Sequence, residues 1–394
     1  MNSGSGIEGG IIINLMQRDN RVSDVSIVSY RPLQTPKIFS HKSVEQTLMT
    51  LPLLYSVCGT AQAIAAVQAT EQALELTPSL DRVKARAFML AMETAKEHLW
   101  RILLDWPLLL GEAPDHASVA EVTRLQAEAR QLLNGGKKPF FYGEEIEQIQ
   151  TDKLLQTVYN LEMLLQNSIF SLPTEQWLML NDQDALLSWI AEKNSVVTRM
   201  FSWLAQKGWY GLGKSGISGL PSLPEDDLHA RLTADLDGEF IAAPNWDGEC
   251  FETTSFTRQI DQGLVKSLIW DNGNGLLTRL VARLVELARM PGILQSILDD
   301  EATCSVVTCS PASGIGLAQV EAARGRLVHR VELDGDIVRR YQILAPTEWN
   351  FHPQGVLAKS LIGLQAGSDD ELRQQAQLLI NAIDPCVGYE LRIN

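Results

Sequence analysis

Cys58-Gly59-Thr60-Ala61-Gln62-Ala63-Ile64-Ala65 is the stretch from which the rest of this sequence is best understood. It opens a run, from about Cys58 to Trp106, in which apolar residues return every three or four positions (Ala66, Ala69, Ala73, Leu76). That spacing predicts two helices, parted near Pro78 and stopped at Pro107. Cys58 then stands at a helix N-terminus, where the positive end of the dipole is expected to lower a thiol pKa and favour thiolate. A second cysteine has comparable surroundings at the far end of the chain, in Asp384-Pro385-Cys386. Proline there ends the helix predicted over Leu372 to Ile383 and presents the next residue outside it. Each thiol is either functional or an inert buried side chain.

Towards the N-terminus, Gly10 to Met16 and Val22 to Val28 are β-branched runs around Gln17-Arg18-Asp19-Asn20, which predicts a hairpin. Towards the C-terminus, Leu327 to Leu333 and Ile337 to Leu344 flank Asp334-Gly335, a turn pair suited to a tight hairpin. Helical periodicity recurs over 117–134, 152–168, 183–206, 275–299 and 368–383. The stretch 215–227 reads as loop, and 241–258 shows no clear period. The expected fold class is therefore α+β and predominantly helical.

The chain has 394 residues, 45% of them apolar and 21% charged, a globular composition with ample material for a core. With 33 basic against 48 acidic residues the formal charge is -15, which disfavours nucleic acid and anionic membrane surfaces. The most apolar stretch, Leu51 to Ala69, is interrupted by Ser56, Gly59, Thr60, Gln62 and Gln68, so no membrane span is expected. The opening Met1-Asn2-Ser3-Gly4-Ser5-Gly6 lacks the cationic and apolar regions of a secretory signal, which makes the cytoplasm the expected location. Five cysteines, an odd number, suggest free thiols rather than a disulfide framework.

Several motifs fail on context. Gly208-Trp209-Tyr210-Gly211-Leu212-Gly213-Lys214-Ser215 matches a phosphate loop letter for letter, but a helical run precedes it and Gly216 to Pro221 follow. Phosphate binding needs a strand before and a helix after, so a surface turn is the better reading. Gly314-Ile315-Gly316 has Gln319 where a dinucleotide fingerprint needs its third glycine. Cys304 and Cys309 fall on opposite faces of a strand and read as structural thiols. His41, His98, His116, His229 and His352 lie in no ligand-like spacing and read as solvated or satisfied within the core.

The two cysteine motifs resemble those of the nickel-iron hydrogenase large-subunit family, R-x-C-G-x-C-x-x-x-H near the start and D-P-C-x-x-C-x-x-H at the end. Glu321-Ala322-Ala323-Arg324-Gly325-Arg326-Leu327-Val328-His329 is similar to the family's E-A-P-R-G-x-L-x-H. Tyr341-Gln342-Ile343-Leu344-Ala345-Pro346-Thr347-Glu348-Trp349-Asn350 is similar to its Y-Q-x-x-x-P-T-x-W-N. Ile7-Glu8-Gly9 resembles R-x-E-G-H, and Leu276 to Leu287 resembles the family's late arginine-containing helix. The order is colinear over nearly the whole chain and weakest over 110–230. The resemblance implies one hydrogenase large-subunit-like domain over 1–394, with a central helical bundle and small β-hairpins. Its parts are an N-terminal hairpin and lead-in (1–57), a helical body (58–300), and a hairpin with the C-terminal cysteine segment (301–394).

The departures bear on function. In the family four thiolates hold nickel, and two of them bridge to an iron that carries cyanide and carbon monoxide. Here Tyr55 replaces the first cysteine of the first motif and Gln62 its histidine; Tyr389 replaces the second cysteine of the last motif and Arg392 its histidine. Cys58, of the bridging kind, and Cys386, of the terminal kind, remain as expected metal ligands. Two thiolates and two tyrosines with an ordinary pKa of about 10 do not make a soft tetragonal nickel site, so no nickel is expected. Arg324 aligns with the donor to one cyanide, and Thr347, after Pro346, with the hydroxyl donor to the other. Both residue types suit cyanide nitrogen acceptors. The plainer role for Arg324 is a salt bridge beside the hairpin.

This pattern resembles the large-subunit-like maturation scaffolds of the HoxV/HupK type. It implies a non-enzymatic carrier that holds an Fe(CN)2(CO) unit transiently and passes it to the true large subunit. The partners implied are the hydrogenase large subunit precursor and a small maturation chaperone that delivers the iron unit. The histidine of the final motif is absent and the chain stops two residues past Arg392, which fits a protein with no extension to remove. Two other readings stay open: a divergent hydrogenase with a different metal near Tyr55 and Tyr389, and a metal-free interaction protein that keeps the large-subunit surface. Glu8 aligns with a proton-gate glutamate and is either functional or an inherited buried acid.

Overall fold

The computed structural model describes residues 9–134, 140, 142, 149–299 and 312–394. Glu8, Cys304 and Cys309 lie outside the described residues. Helix Leu276–Leu298 is the axis of the molecule, buried on every side along most of its length. Around it pack the helices Leu80–Trp100, Thr151–Leu165, Ser255–Gln259 and Asp369–Ile383. A helix so enclosed is expected to be apolar all round, yet it buries Arg279, Arg283 and Glu286.

Each of those three charges meets a partner in the surrounding layer. Arg279 pairs with Glu252 at 2.9 Å, and Arg283 donates to the backbone oxygen of Asn381 at 2.8 Å. Glu286 accepts from Arg258 at 2.6 Å and from Nε2 of His98 at 2.7 Å. Burial alone would raise the Glu286 carboxyl, but Arg258 and His98 hold it well below the usual carboxylate range. Burial also depresses the His98 imidazole. The unfolded chain therefore takes up a proton at His98 that the native state refuses, and stability should fall as pH drops from about 7 to about 5. Urea midpoints measured across that range should slope in the native protein and slope less steeply in His98→Gln, the remainder carried by His329, His229 and His352, whose imidazoles burial also depresses. An unchanged slope would contradict this account of His98.

Two three-stranded sheets and one short two-stranded pairing complete the fold among the described residues. In the first, Gly10–Arg18 pairs antiparallel with Arg21–Ser29 and parallel with Gly388–Ile393, so the two ends of the chain share one sheet. The second is an antiparallel meander of Ile315–Ala322, Gly325–Asp334 and Ile337–Leu344. It lies on helix Gly59–Ala73. Gly316 permits this approach, because a Cβ there would run into the carbonyl oxygen of Ala69. The Gln72 side chain of that helix accepts the backbone N–H of Leu317.

Both hairpins and most helices fall where periodicity places them, and the fold class is as expected. The differences have local causes. The chain does not stop at Pro107: a π-helical turn, Arg101–Asp105, leads straight into helix Trp106–Leu110, and the Leu103 carbonyl that Pro107 leaves without a donor accepts the N–H of Asp115 at 3.0 Å. The 183–206 stretch is two helices, because Ser195 forms a capping box with Thr198 and restarts the second. Within the expected loop, Ser218–Gly219 pairs with Phe251–Glu252 and a helix begins at Glu225. Strands Ile315–Ala322 and Gly388–Ile393 were not expected. The phosphate-loop look-alike follows helix Val196–Lys207, which ends at left-handed Gly208 with φ 69°. Among the described residues no single helix is long and apolar enough to cross a membrane. The Leu51–Ala69 run is divided between two segments bent by 99°.

Candidate functional site

The first helical stretch brings Cys58 into place through a break in the backbone. Helix Val44–Leu54 ends at Tyr55, a 3-10 turn covers Ser56–Cys58, and helix Gly59–Ala73 starts with Cys58 as its N-cap residue. The thiol does not satisfy the free N–H groups of that helix. Glu93, from the next helix, accepts the N–H of Thr60 at 2.8 Å and of Ala61 at 2.9 Å. The positive end of the dipole is thus already occupied by a carboxylate. This corrects the expectation of a depressed Cys58 pKa: burial, then Cys386 and Glu93, push the thiol well above its ordinary value. Arg324 and a hydrogen bond from Gln62 oppose that rise without overcoming it. A coordinating metal would reverse the balance, since it deprotonates a thiol outright.

Cys386 arrives from the other end of the chain. Helix Asp369–Ile383 stops before Pro385, and Asp384 takes a left-handed conformation with φ 65°. A non-glycine residue pays strain there, which is offset by three arginines. Its carboxylate receives Arg101 Nε at 2.7 Å and Arg324 Nε at 3.2 Å, with Arg283 at 3.7 Å. These contacts hold the Asp384 carboxyl at about 2, against the rise that burial would cause. Two residues on, Cys386 Sγ lies 2.9 Å from the hydroxyl of Thr347. Thr347 sits in the first turn of helix Pro346–Asn350, which Pro346 begins.

Arg324 occupies the tight turn between Ile315–Ala322 and Gly325–Asp334 and is buried. Its Nη2 donates to Glu97 at 3.0 Å and its Nε to Asp384. It is therefore salt-bridged, though to acids from two distant helices; Glu321, beside the hairpin, pairs with Arg326 at 2.7 Å instead. The remaining nitrogen, Nη1, is buried and has no hydrogen-bond partner. Arg324 lies within electrostatic reach of both Cys58 and Cys386, and those two lie within reach of each other. Cys58, Cys386, Arg324, Pro346 and Thr347 thus gather at one place, from segments more than 300 residues apart at the extremes.

The residues that replace the family's ligands separate into two groups. Tyr55 and Gln62 remain at the site. Gln62 donates to Cys58 Sγ at 3.7 Å. Tyr389 and Arg392 do not: both lie on the C-terminal strand, Tyr389 beside Ile11 and 40% exposed, Arg392 paired with Glu390 at the surface. A further buried pair was not expected from the sequence. Arg31 donates to Glu348 at 2.6 Å, and Arg31 is within electrostatic reach of both cysteines and of Tyr55. Glu93 and Glu97, four apart on a predicted helix, left a faint signal; Arg31 left none. The third described cysteine, Cys250, lies 3.3 Å from Nδ1 of His352, and burial leaves both neutral by raising the thiol and lowering the imidazole. Among the described residues no cluster of three or more His, Cys, Asp or Glu is placed to hold a metal ion.

Known proteins resemble the chain over nearly its whole length. The family model for nickel-dependent hydrogenase matches residues 268–388, a stretch that contains Arg324, Thr347 and Cys386 but ends before Tyr389. The chain is 29% identical to the hydrogenase expression/formation protein HoxV of Cupriavidus necator, over 92% of this chain and 91% of that protein. It is 27% identical to the hydrogenase expression/formation protein HupK of Bradyrhizobium diazoefficiens, over 94% of this chain and 92% of that one. Its fold matches the Ni-Fe-Se hydrogenase of Desulfovibrio vulgaris Hildenborough with a TM-score of 0.68 at 18% identity, covering 94% of both chains. The large-subunit resemblance, and the closer one to the HoxV/HupK type, are both borne out.

Proposed function

We propose that this chain, of the nickel-iron hydrogenase large-subunit family, serves hydrogenase maturation as a scaffold that holds an Fe(CN)2(CO) unit and passes it to the true large subunit. One observation carries the reading: a buried guanidinium nitrogen, Arg324 Nη1, stands unpartnered on a side chain within electrostatic reach of two cysteines from opposite ends of the chain. An unpaired buried donor of this kind costs free energy. A cyanide nitrogen would satisfy it.

The donor set suits a cargo that brings most of its own ligands. Two thiolates cannot complete a coordination sphere for a bare ion, but an iron already carrying cyanides and carbon monoxide needs few more. Loading requires Cys58 and Cys386 to ligate the iron as thiolates, their two protons being released to solvent. The two negative charges so created fall within reach of Arg324 and Arg31. Thr347, at the Cys386 sulfur, supplies a hydroxyl donor for the second cyanide. Tyr55 leaves one nickel corner without a thiolate, and Tyr389 lies partly exposed on a strand. On this reading the chain is an assembly scaffold rather than an enzyme, and it binds no nickel.

Its partners are the large subunit precursor and a small maturation chaperone that brings the iron unit, all in the cytoplasm. The test is transfer. Protein loaded with the iron unit is mixed anaerobically with apo large subunit, the two are separated, and the infrared bands of CO and cyanide are followed. The bands should move to the large subunit; bands that stay on the scaffold overturn the proposal.

A further inference from the structure

The hydrogen bonds behind Cys58 all point one way. Tyr341 OH lies 2.8 Å from Nδ1 of His329, His329 Nε2 lies 2.9 Å from Oε1 of Gln62, and Gln62 Nε2 lies 3.7 Å from Cys58 Sγ. An amide oxygen only accepts, so His329 carries its proton on Nε2. Burial pushes this imidazole down to about 3, so it is neutral and its Nδ1 is bare. The Tyr341 phenol, which burial keeps protonated, therefore donates to Nδ1. Three donors stand in series and the last of them meets the sulfur.

The fold fixes every link. Gln62 is one helical turn beyond Cys58 and so shares its face. His329 pairs with Ile343 and Val331 with Tyr341, which makes His329 and Tyr341 diagonal neighbours on one face of the hairpin. That hairpin packs on the helix that carries Gln62. All three side chains are buried.

We propose that Tyr341, His329 and Gln62 form a positioning relay that sets how strongly the Cys58 sulfur donates to iron, with Gln62 as the contacting group. The inference rests on the cargo reading and deepens it. Each donor is polarised by the one behind it, which strengthens the final N–H. That N–H draws charge from the thiolate. A carboxamide cannot give up a proton as an imidazolium can, so the sulfur is weakened as a ligand without being protonated. Such a ligand holds the iron unit and then yields it.

Two experiments test the relay. In protein free of iron, 15N NMR of His329 should show the neutral Nε2–H tautomer across neutral pH; an Nδ1–H tautomer or an imidazolium would overturn the relay. In loaded protein, Gln62→Leu should move the CO band to lower wavenumber, because a stronger thiolate donor pushes more electron density onto iron. Tyr341→Phe touches neither Gln62 nor Cys58 and should move it the same way by less, which a merely structural role would not do. Unmoved bands in both variants overturn the proposal, and Tyr341→Phe serves alone should Gln62→Leu fail to fold. Were no iron unit found on the native protein, the cargo reading would fail while the NMR measurement still decided the relay.

Discussion

Cys386→Ala should purify as folded protein with its iron at background level, and Cys58→Ala should do the same. Each sulfur is one of two expected iron ligands, and removal of either leaves the unit on a single thiolate. The fold should tolerate the change. Both cysteines are only partly buried, and a small truncation at such a position costs about 1 kcal/mol. Cys250→Ala is the control, since Cys250 contacts His352 and not the pair, and it should retain its iron. Urea unfolding and iron analysis on the same preparations separate loss of ligand from loss of fold. Full iron content in Cys386→Ala would contradict the assignment.

Arg324→Met should have the largest effect on stability of any substitution at the site. The methionine fills similar volume but leaves Glu97, among the described residues, with Lys96 at 3.2 Å, and strips one of three arginines from strained Asp384. Breaking one side of a buried ion pair costs about 3–5 kcal/mol. The expected urea midpoint is correspondingly low, and a loss under about 1 kcal/mol would mean that the acids are satisfied without Arg324. Arg324→Lys restores charge but not the planar fork. It should recover part of the stability and little of the iron, because a single ammonium nitrogen cannot stand at once where Nε meets Asp384, where Nη2 meets Glu97 and where Nη1 is left free.

How much of this was legible in the sequence depended on whether the signal was local. The hairpin at Asp334-Gly335 and helix Leu276–Leu298 follow from turn chemistry and spacing, which need no knowledge of the rest of the chain. Strand Gly388–Ile393 follows from neither, because its partner is Gly10–Arg18 at the other terminus. The site divides in the same way. Cys58 and Cys386 were marked by the helix ends beside them, and Arg324 and Thr347 by the motifs around them. The Cys58 pKa was misjudged because a helix dipole is a local property, whereas the carboxylate that caps it, Glu93, belongs to another helix. Arg31 gave no sign, since nothing near it in sequence hints at Glu348 or at the sulfurs.

The central claim, that Cys58 and Cys386 together carry a ligated iron without nickel, is tested most directly on protein purified without oxygen, by infrared spectroscopy combined with metal analysis. The account predicts one CO band and a pair of cyanide bands, iron near one equivalent per chain, and nickel at background. Nickel near one equivalent, or an absence of those bands in protein from cells actively assembling hydrogenase, would contradict it.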